Sequence, residues 1–333
     1  MRTLILLSLI VISTLAQAEQ VNVYSFRQPF LIEPILDGFT KETGIEVKVV
    51  FAKKGLIQRL QREGKLSPAD LVLTSDFANL LQLKEDGLTQ AFENSDALSQ
   101  NIPAQFRDDE QHWLALTKRV RNIYSSKDRL GKLEGIRYED LADPKYKGRI
   151  CTRSGKHPYN LGLIASLIVH NGEAATEEWL KGVKANLARK PQGNDRAQVK
   201  AIKEGLCDVS LGNSYYFGKM LQDKEQKAWA DAVELNFPNQ NDRGAHLNVS
   251  GAVMAKYAPN KAAAQKLLEY LSSEKAQAMY ADLNMEYPVK AGVPASAMVT
   301  SWGDYKGDDV ALNKIAEQRK TALKLVDKVK FDL

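Results

Sequence analysis

The stretch Val21-Asn22-Val23-Tyr24-Ser25, followed after Pro29 by Ile32, Ile35, Leu36 and Phe39, decides the fold class. The first five residues alternate as a strand does. The second set falls at i, i+3, i+4 and i+7, one face of a helix. Thr43-Gly44 ends that helix, and Ile45-Glu46-Val47-Lys48-Val49-Val50 reads as a second strand. Leu56 to Gln61 is helical again until Gly64, and Ser67-Pro68-Ala69-Asp70 leads into a third strand, Leu71 to Thr74. This β-α-β-α-β order predicts a parallel sheet faced by helices, so the fold class is α/β.

The rhythm returns further along. Asp143-Pro144 marks a turn, and Arg149-Ile150-Cys151-Thr152 reads as a short strand after it. A helix follows from about Leu161 to Val169. Val199, Ile202 and Leu206 mark another helix, and Cys207 to Leu211 another strand. Asn248 to Met254 reads as a later strand, Lys261 to Leu271 as a helix, and Val310 to Val326 as one long terminal helix. No internal repeat and no Ser/Gly-rich linker separates domains in series. Two lobes joined by crossing segments are expected instead. Residues 19–100 with about 243–293 would form the first, and about 101–242 with 294–333 the second. The two cysteines, Cys151 and Cys207, are expected to form a disulfide if their strands are neighbours. Two separate buried thiols are the alternative.

With 333 residues, 44% hydrophobic and 26% charged, the chain has enough apolar material for a large core and is not a disordered one. Lys and Arg number 46 against 41 Asp and Glu, and the signs are interspersed without a basic block, which argues against nucleic acid as a partner. Arg2, the apolar run Leu4 to Ile12 and the small-x-small Ala16-Gln17-Ala18 read as a signal peptide over residues 1–18, cleaved near Ala18. No later stretch reaches the ~18 apolar residues of a membrane span. No Cys follows the cleavage site to carry a lipid. A soluble, exported, monomeric protein is expected.

Enzyme signatures are missing. There is no G-x-S-x-G, no G-x-x-x-x-G-K-[ST], and no G-x-G-x-x-G after the first strand. His112, His157, His170 and His246 form no H-x-x-x-H pair. What stands out is Gly212-Asn213-Ser214-Tyr215-Tyr216-Phe217-Gly218, where Asn213 or Ser214 is placed to cap a helix that starts at the tyrosine pair. At a helix start two adjacent phenols diverge less than on a strand, where they would point to opposite faces.

A series of motifs runs in one order along nearly all of the mature chain. It begins with Tyr24-Ser25-Phe26-Arg27-Gln28, Ser67-Pro68-Ala69-Asp70 and Thr117-Lys118-Arg119, then Arg153-Ser154 with Tyr159-Asn160 and Pro191-Gln192-Gly193-Asn194-Asp195. It continues with Asn213-Ser214-Tyr215-Tyr216, Phe237-Pro238-Asn239-Gln240, Asn248-Val249-Ser250-Gly251 and Glu286-Tyr287-Pro288. In this series the chain resembles the periplasmic ferric-iron-binding proteins, the solute receptors of bacterial iron ABC importers.

The resemblance implies a two-lobed periplasmic binding protein of type II-like fold, with parallel-sheet lobes around a ligand cleft. It implies iron ligands at Tyr215 and Tyr216, with Tyr159 matching a third tyrosine of some members. Some relatives use a His just after the first strand, and some a Tyr beside it; here Gln28 and Pro29 stand at those positions. The departure favours three phenolates with a bound anion or water completing the shell. Arg27, Arg119, Arg121 and Arg153, with Gln28, are candidates to hold carbonate or another anion, since guanidinium forks match planar oxyanions. Surface or lobe-to-lobe salt bridging is the other reading of those arginines. Ferric iron favours hard anionic oxygen, so Fe(3+) suits the phenols. The implied partner is an inner-membrane ABC permease and no reaction is catalysed. A same-fold receptor for a small organic anion or a thiamine-like cation, or an exported enzyme, are the rivals. His157 is expected to be a solvated loop residue and Tyr287 a packing residue.

Overall fold

The computed structural model describes residues 19–52 and 54–333; the signal-peptide reading lies outside the described residues. Its strands, in chain order, are β1 Gln20–Ser25, β2 Glu46–Phe51, β3 Leu71–Thr74, β4 Thr89–Gln90, β5 Leu114–Ser126, β6 Ile150–Cys151, β7 Val209–Asn213, β8 Val233–Asn236, β9 Leu247–Ala255 and β10 Tyr287–Pro288. β1 lies between β2 and β3 and runs parallel to both, Val23 pairing with Val49 on one side and Leu71 on the other. The helix Pro29–Thr43 buries Ile32, Ile35, Leu36 and Phe39 against Val21, Val23, Leu71 and Leu73. Proline at its first turn needs no amide partner, and Gly44 ends it in the left-handed region (φ 73°), its N–H bonded to Thr40 O. Tyr24 and Val72 point the other way, onto Leu56, Ile57 and Leu60 of the next helix, Leu56–Glu63.

The sheet is mixed rather than parallel throughout. Its order is β2-β1-β3-β9-β5-β7-β6, with β4 beside β9 and with β8 and β10 beside β5. β9 is antiparallel to β3 and to the first half of β5. The second half of β5, Arg121 to Ser126, turns to β7 and β8. A chain that leaves one end of the molecule along β5 and returns along β9 must set those two strands antiparallel. The α/β class stands, and the curled sheet spans both ends. The register of β5 on β9 shifts between Ala115 and Thr117. At that irregularity a Cβ on Gly251 would meet Leu114 O at 2.2 Å, so only glycine fits.

At the far end β6 and β7 are parallel neighbours, and Cys151 and Cys207 are joined as a disulfide with Cα atoms 5.8 Å apart. Two helical expectations need correction. The helix marked by Val199 and Ile202 is Asp195–Lys203; Gly205 (φ 77°) turns the chain out, and Leu206 is exposed rather than on the buried face. The terminal helix is two, Leu312–Glu317 and Arg319–Lys328. Gln318 interrupts it with a tightened turn, its N–H bonded to Ile315 O at 3.2 Å. Both pieces still bury their apolar positions, Leu312, Ile315, Ala322, Leu325 and Val326.

Candidate functional site: a tyrosine-lined cleft

Two helix starts carry the tyrosines. β7 ends at Asn213, and the helix Tyr215–Gln222 begins after one intervening residue, Ser214. Neither expected cap is made: Ser214 has helical backbone angles, and its hydroxyl accepts from Val120 N (3.2 Å), tying the helix start to β5. Asn213 Oδ1 accepts instead from Arg121. The other helix, Pro158–Asn171, has His157 as its N-cap, with Nδ1 accepting from Tyr159 N at 3.2 Å. His157 is thus a capping group, and burial, then Arg153, push its pKa down to about 3.

These starts bring three phenols together. Tyr159 and Tyr215 hydroxyls are 3.4 Å apart, and the Tyr215 and Tyr216 rings lie 4.2 Å centre to centre. All three line one cleft of about 420 Å³ with Phe26, Arg27, Gln28, Ser75 and Arg119. Burial and the neighbouring phenols raise the Tyr215 pKa well above its ordinary value, and burial pushes Tyr216 up to about 12. The free site therefore holds these two as neutral phenols. A second chamber of about 660 Å³ opens on the other side of Tyr159, lined in part by Lys54, Lys156 and His157. Among the described residues no three His, Cys, Asp or Glu side chains gather to hold a metal. The hard oxygen donors along the cleft are the tyrosine hydroxyls and the carboxylates of Asp223 and Glu286.

The four candidate arginines separate into two buried triads. Arg27 and Arg119 share Glu286: Arg27 Nη2 is 2.9 Å from Oε2, and Arg119 Nη1 3.4 Å from Oε1. Thr117 also bonds this carboxylate, and Arg119 donates to Ser75 O as well. The Arg119 guanidinium lies 5.7 Å from both the Tyr159 and Tyr215 ring centres. Arg121 and Arg153 share Asp195, at 2.6 and 3.1 Å, behind the tyrosines and outside the cleft wall. Burial works against ionising Glu286 and Asp195, but the guanidiniums outweigh it and hold both carboxyls below their ordinary range. Each triad keeps one positive charge in excess. All four arginines make buried ion pairs, of which only Arg119–Glu286 joins the two expected lobes, and only Arg27, Arg119 and the exposed Gln28 also reach the cleft.

Sequence reading missed Arg196, Lys219, Asp223 and Glu286 as site residues, and they line the cleft together with Phe30, Leu31 and Asn284. Lys219 had a usable signal, since it stands one turn after Tyr215 on the same helix face. Its Nζ donates to Leu283 O at 2.6 Å, and burial lowers its pKa. Tyr287 packs on Tyr305, ring centres 4.6 Å apart, as expected of a packing residue.

A mixed sheet shared by two ends, with a polar cleft walled by helix starts, defines a two-lobed solute receptor. Residues 66–305 match the family described as bacterial extracellular solute-binding protein, and the chain belongs to that family. It is 43% identical over 317 residues to iron uptake protein A1 of Synechocystis, covering 94% of this chain and 88% of that protein. The ferric iron-binding protein A of Mannheimia haemolytica, solved in an open conformation, superposes with a TM-score of 0.92 at 57% identity, covering 95% of this chain and 100% of that one. A Trichodesmium protein (IdiA, FutA), solved with iron and citrate, superposes with a TM-score of 0.90 at 41% identity over 94% of this chain and 99% of that one. The resemblance carried by the ordered motifs is borne out.

Proposed function

We propose that this protein is a periplasmic ferric-iron receptor that captures Fe(3+) through Tyr159, Tyr215 and Tyr216 and delivers it to an inner-membrane ABC permease. The observation that carries the reading is the convergence of three phenols from two helix starts, with the Tyr159 and Tyr215 oxygens 3.4 Å apart. Three phenolates match the charge of the ion and its preference for hard oxygen. Relatives named for iron uptake and for ferric binding support the same cargo. Because Tyr215 and Tyr216 are neutral in the free site, metal capture displaces their protons, and acid favours release.

A bound anion completes the shell on the Arg27–Gln28–Arg119 side, where one positive charge is in excess and a carbonate or carboxylate takes a place beside Glu286. Arg121 and Arg153, which lie against the Tyr159 ring at 6.0 and 5.3 Å and do not line the cleft, act on the anion only through the charge they add. The lobes are residues 19–100 with about 243–293 and about 101–242 with 294–333, and β5 and β9 form the crossing segments. Closure follows from the metal binding the closed arrangement better than the open one. The receptor works as a monomer and catalyses no reaction.

The test is a visible absorption spectrum of the mature protein titrated with ferric citrate, alongside Tyr215→Phe. A phenolate-to-iron charge-transfer band that the substitution shifts or removes is the expected result. Absence of a band, with no iron kept after desalting, would overturn the reading.

A further inference from the structure

Beneath the cleft one guanidinium touches both segments that carry the tyrosines. Arg121 Nη2 donates to Asn160 Oδ1 at 2.7 Å, and Asn160 is the residue after Tyr159. Arg121 Nη1 donates to Asn213 Oδ1 at 3.1 Å and to Asp195 Oδ2 at 2.6 Å. Asp195 Oδ2 also accepts from Asn213 N at 3.0 Å, two residues before Tyr215. Its other oxygen takes Arg153 Nη1, and Asn160 Nδ2 returns to Arg153 O at 3.1 Å. Arg121, Asp195, Asn160 and Asn213 are all buried. Arg121 and Asn213 are cross-strand partners of β5 and β7, so the sheet itself fixes where the fork points.

A buried ion pair is weak evidence for stability, because desolvation consumes much of its attraction. This one is connected in a way stability alone does not require. One planar fork joins the start of the Tyr159 helix to the strand end that launches Tyr215 and Tyr216.

We propose that Arg121 and Asp195 form a positioning clamp that sets the separation of the Tyr159 oxygen from the Tyr215 and Tyr216 oxygens, and thereby the geometry offered to the ion. The inference rests on the ferric reading of the same cleft. Neither residue is a ligand. A lysine at 121 keeps the charge facing Asp195 but has no planar fork to reach Asn160 and Asn213 together.

The experiment compares wild type, Arg121→Lys and Asn213→Ala, each loaded with ferric citrate. The readouts are the energy of the charge-transfer band and the rate of iron loss to excess EDTA. Ile35→Val, a core change in the helix Pro29–Thr43, gives the band and loss rate of a protein that is only less stable. The expected result is a shifted band and about tenfold faster iron loss in Arg121→Lys, as removal of an outer-shell partner typically produces. Asn213→Ala, which leaves the Arg121–Asp195 pair intact, is expected to shift the band in the same direction; it carries the test alone if Arg121→Lys does not fold. A wild-type band and loss rate in the folded variants, matching Ile35→Val, would overturn the clamp. A wild type without any band would overturn the ferric reading instead, so the two failures are distinguishable.

Discussion

The two arginine–carboxylate triads are chemically alike and differently placed. Glu286 with Arg27 and Arg119 gathers residues far apart in the chain, at the turn after β1, on the first half of β5 and just before β10, and its members line the cleft. Asp195 with Arg121 and Arg153 sits behind the tyrosines, and none of its members lines the cleft wall. On the proposed reading, the first triad is the one an incoming anion meets. The second is placed to hold still. Equal chemistry and equal burial thus leave one difference between the triads, that only the first lines the cleft.

The sharpest way to break this comparison is to remove each carboxylate. Asp195→Ala leaves two buried guanidiniums unpaired and should cost about 3–5 kcal/mol in urea unfolding. Glu286→Ala should cost less, about 1–3 kcal/mol, because its arginines gain water or an added anion through the cleft. Added carbonate should recover part of the stability of Glu286→Ala and none of that of Asp195→Ala. Equal losses with equal recovery would erase the distinction.

A second comparison sets covalent against ionic ties in the same lobe. Reducing Cys151–Cys207, which closes a separation of 56 residues, should cost about 2–4 kcal/mol by chain entropy. The charge-transfer band should keep its energy, because neither cysteine lines the cleft. Unfolding with and without dithiothreitol, followed by the loaded spectrum, checks both parts.

The most gradual effect comes from pH. His246 is buried, and burial, then Arg121, push its pKa down to about 3. An unfolded His takes its proton near pH ~6.5, so between that value and about 3 the unfolded state binds more protons and stability falls with falling pH. His157, also pushed down to about 3, adds an equal share, so the slope should approach about 2.8 kcal/mol per pH unit below 6 and fall to about half of that in His246→Leu. Glu286 and Asp195, both held low, add their loss only below the ordinary carboxylate range.

The sequence made the β-α-β-α-β start, the tyrosines and the cysteine pair legible because each depends on local period or on residue type. The antiparallel return of β9 was not legible, since strand direction follows from where the chain goes between Cys207 and Leu247. Nor were the partners of the arginines: Arg27 meets Glu286 across 259 positions, a pairing no spacing rule contains. Leu206 kept the helical period of Val199 and Ile202, but Gly205 had already turned the chain. Gln318 breaks an apolar pattern that continues unbroken on both sides of it, so periodicity alone runs straight through.

The central claim is that three tyrosine oxygens hold the cargo, and anomalous diffraction at the iron edge from crystals grown with ferric citrate tests it most directly. The account predicts a single strong iron peak within coordination distance of the Tyr159, Tyr215 and Tyr216 oxygens, with an anion toward Arg27 and Arg119. An iron peak elsewhere, or a cleft filled by citrate alone, would contradict it.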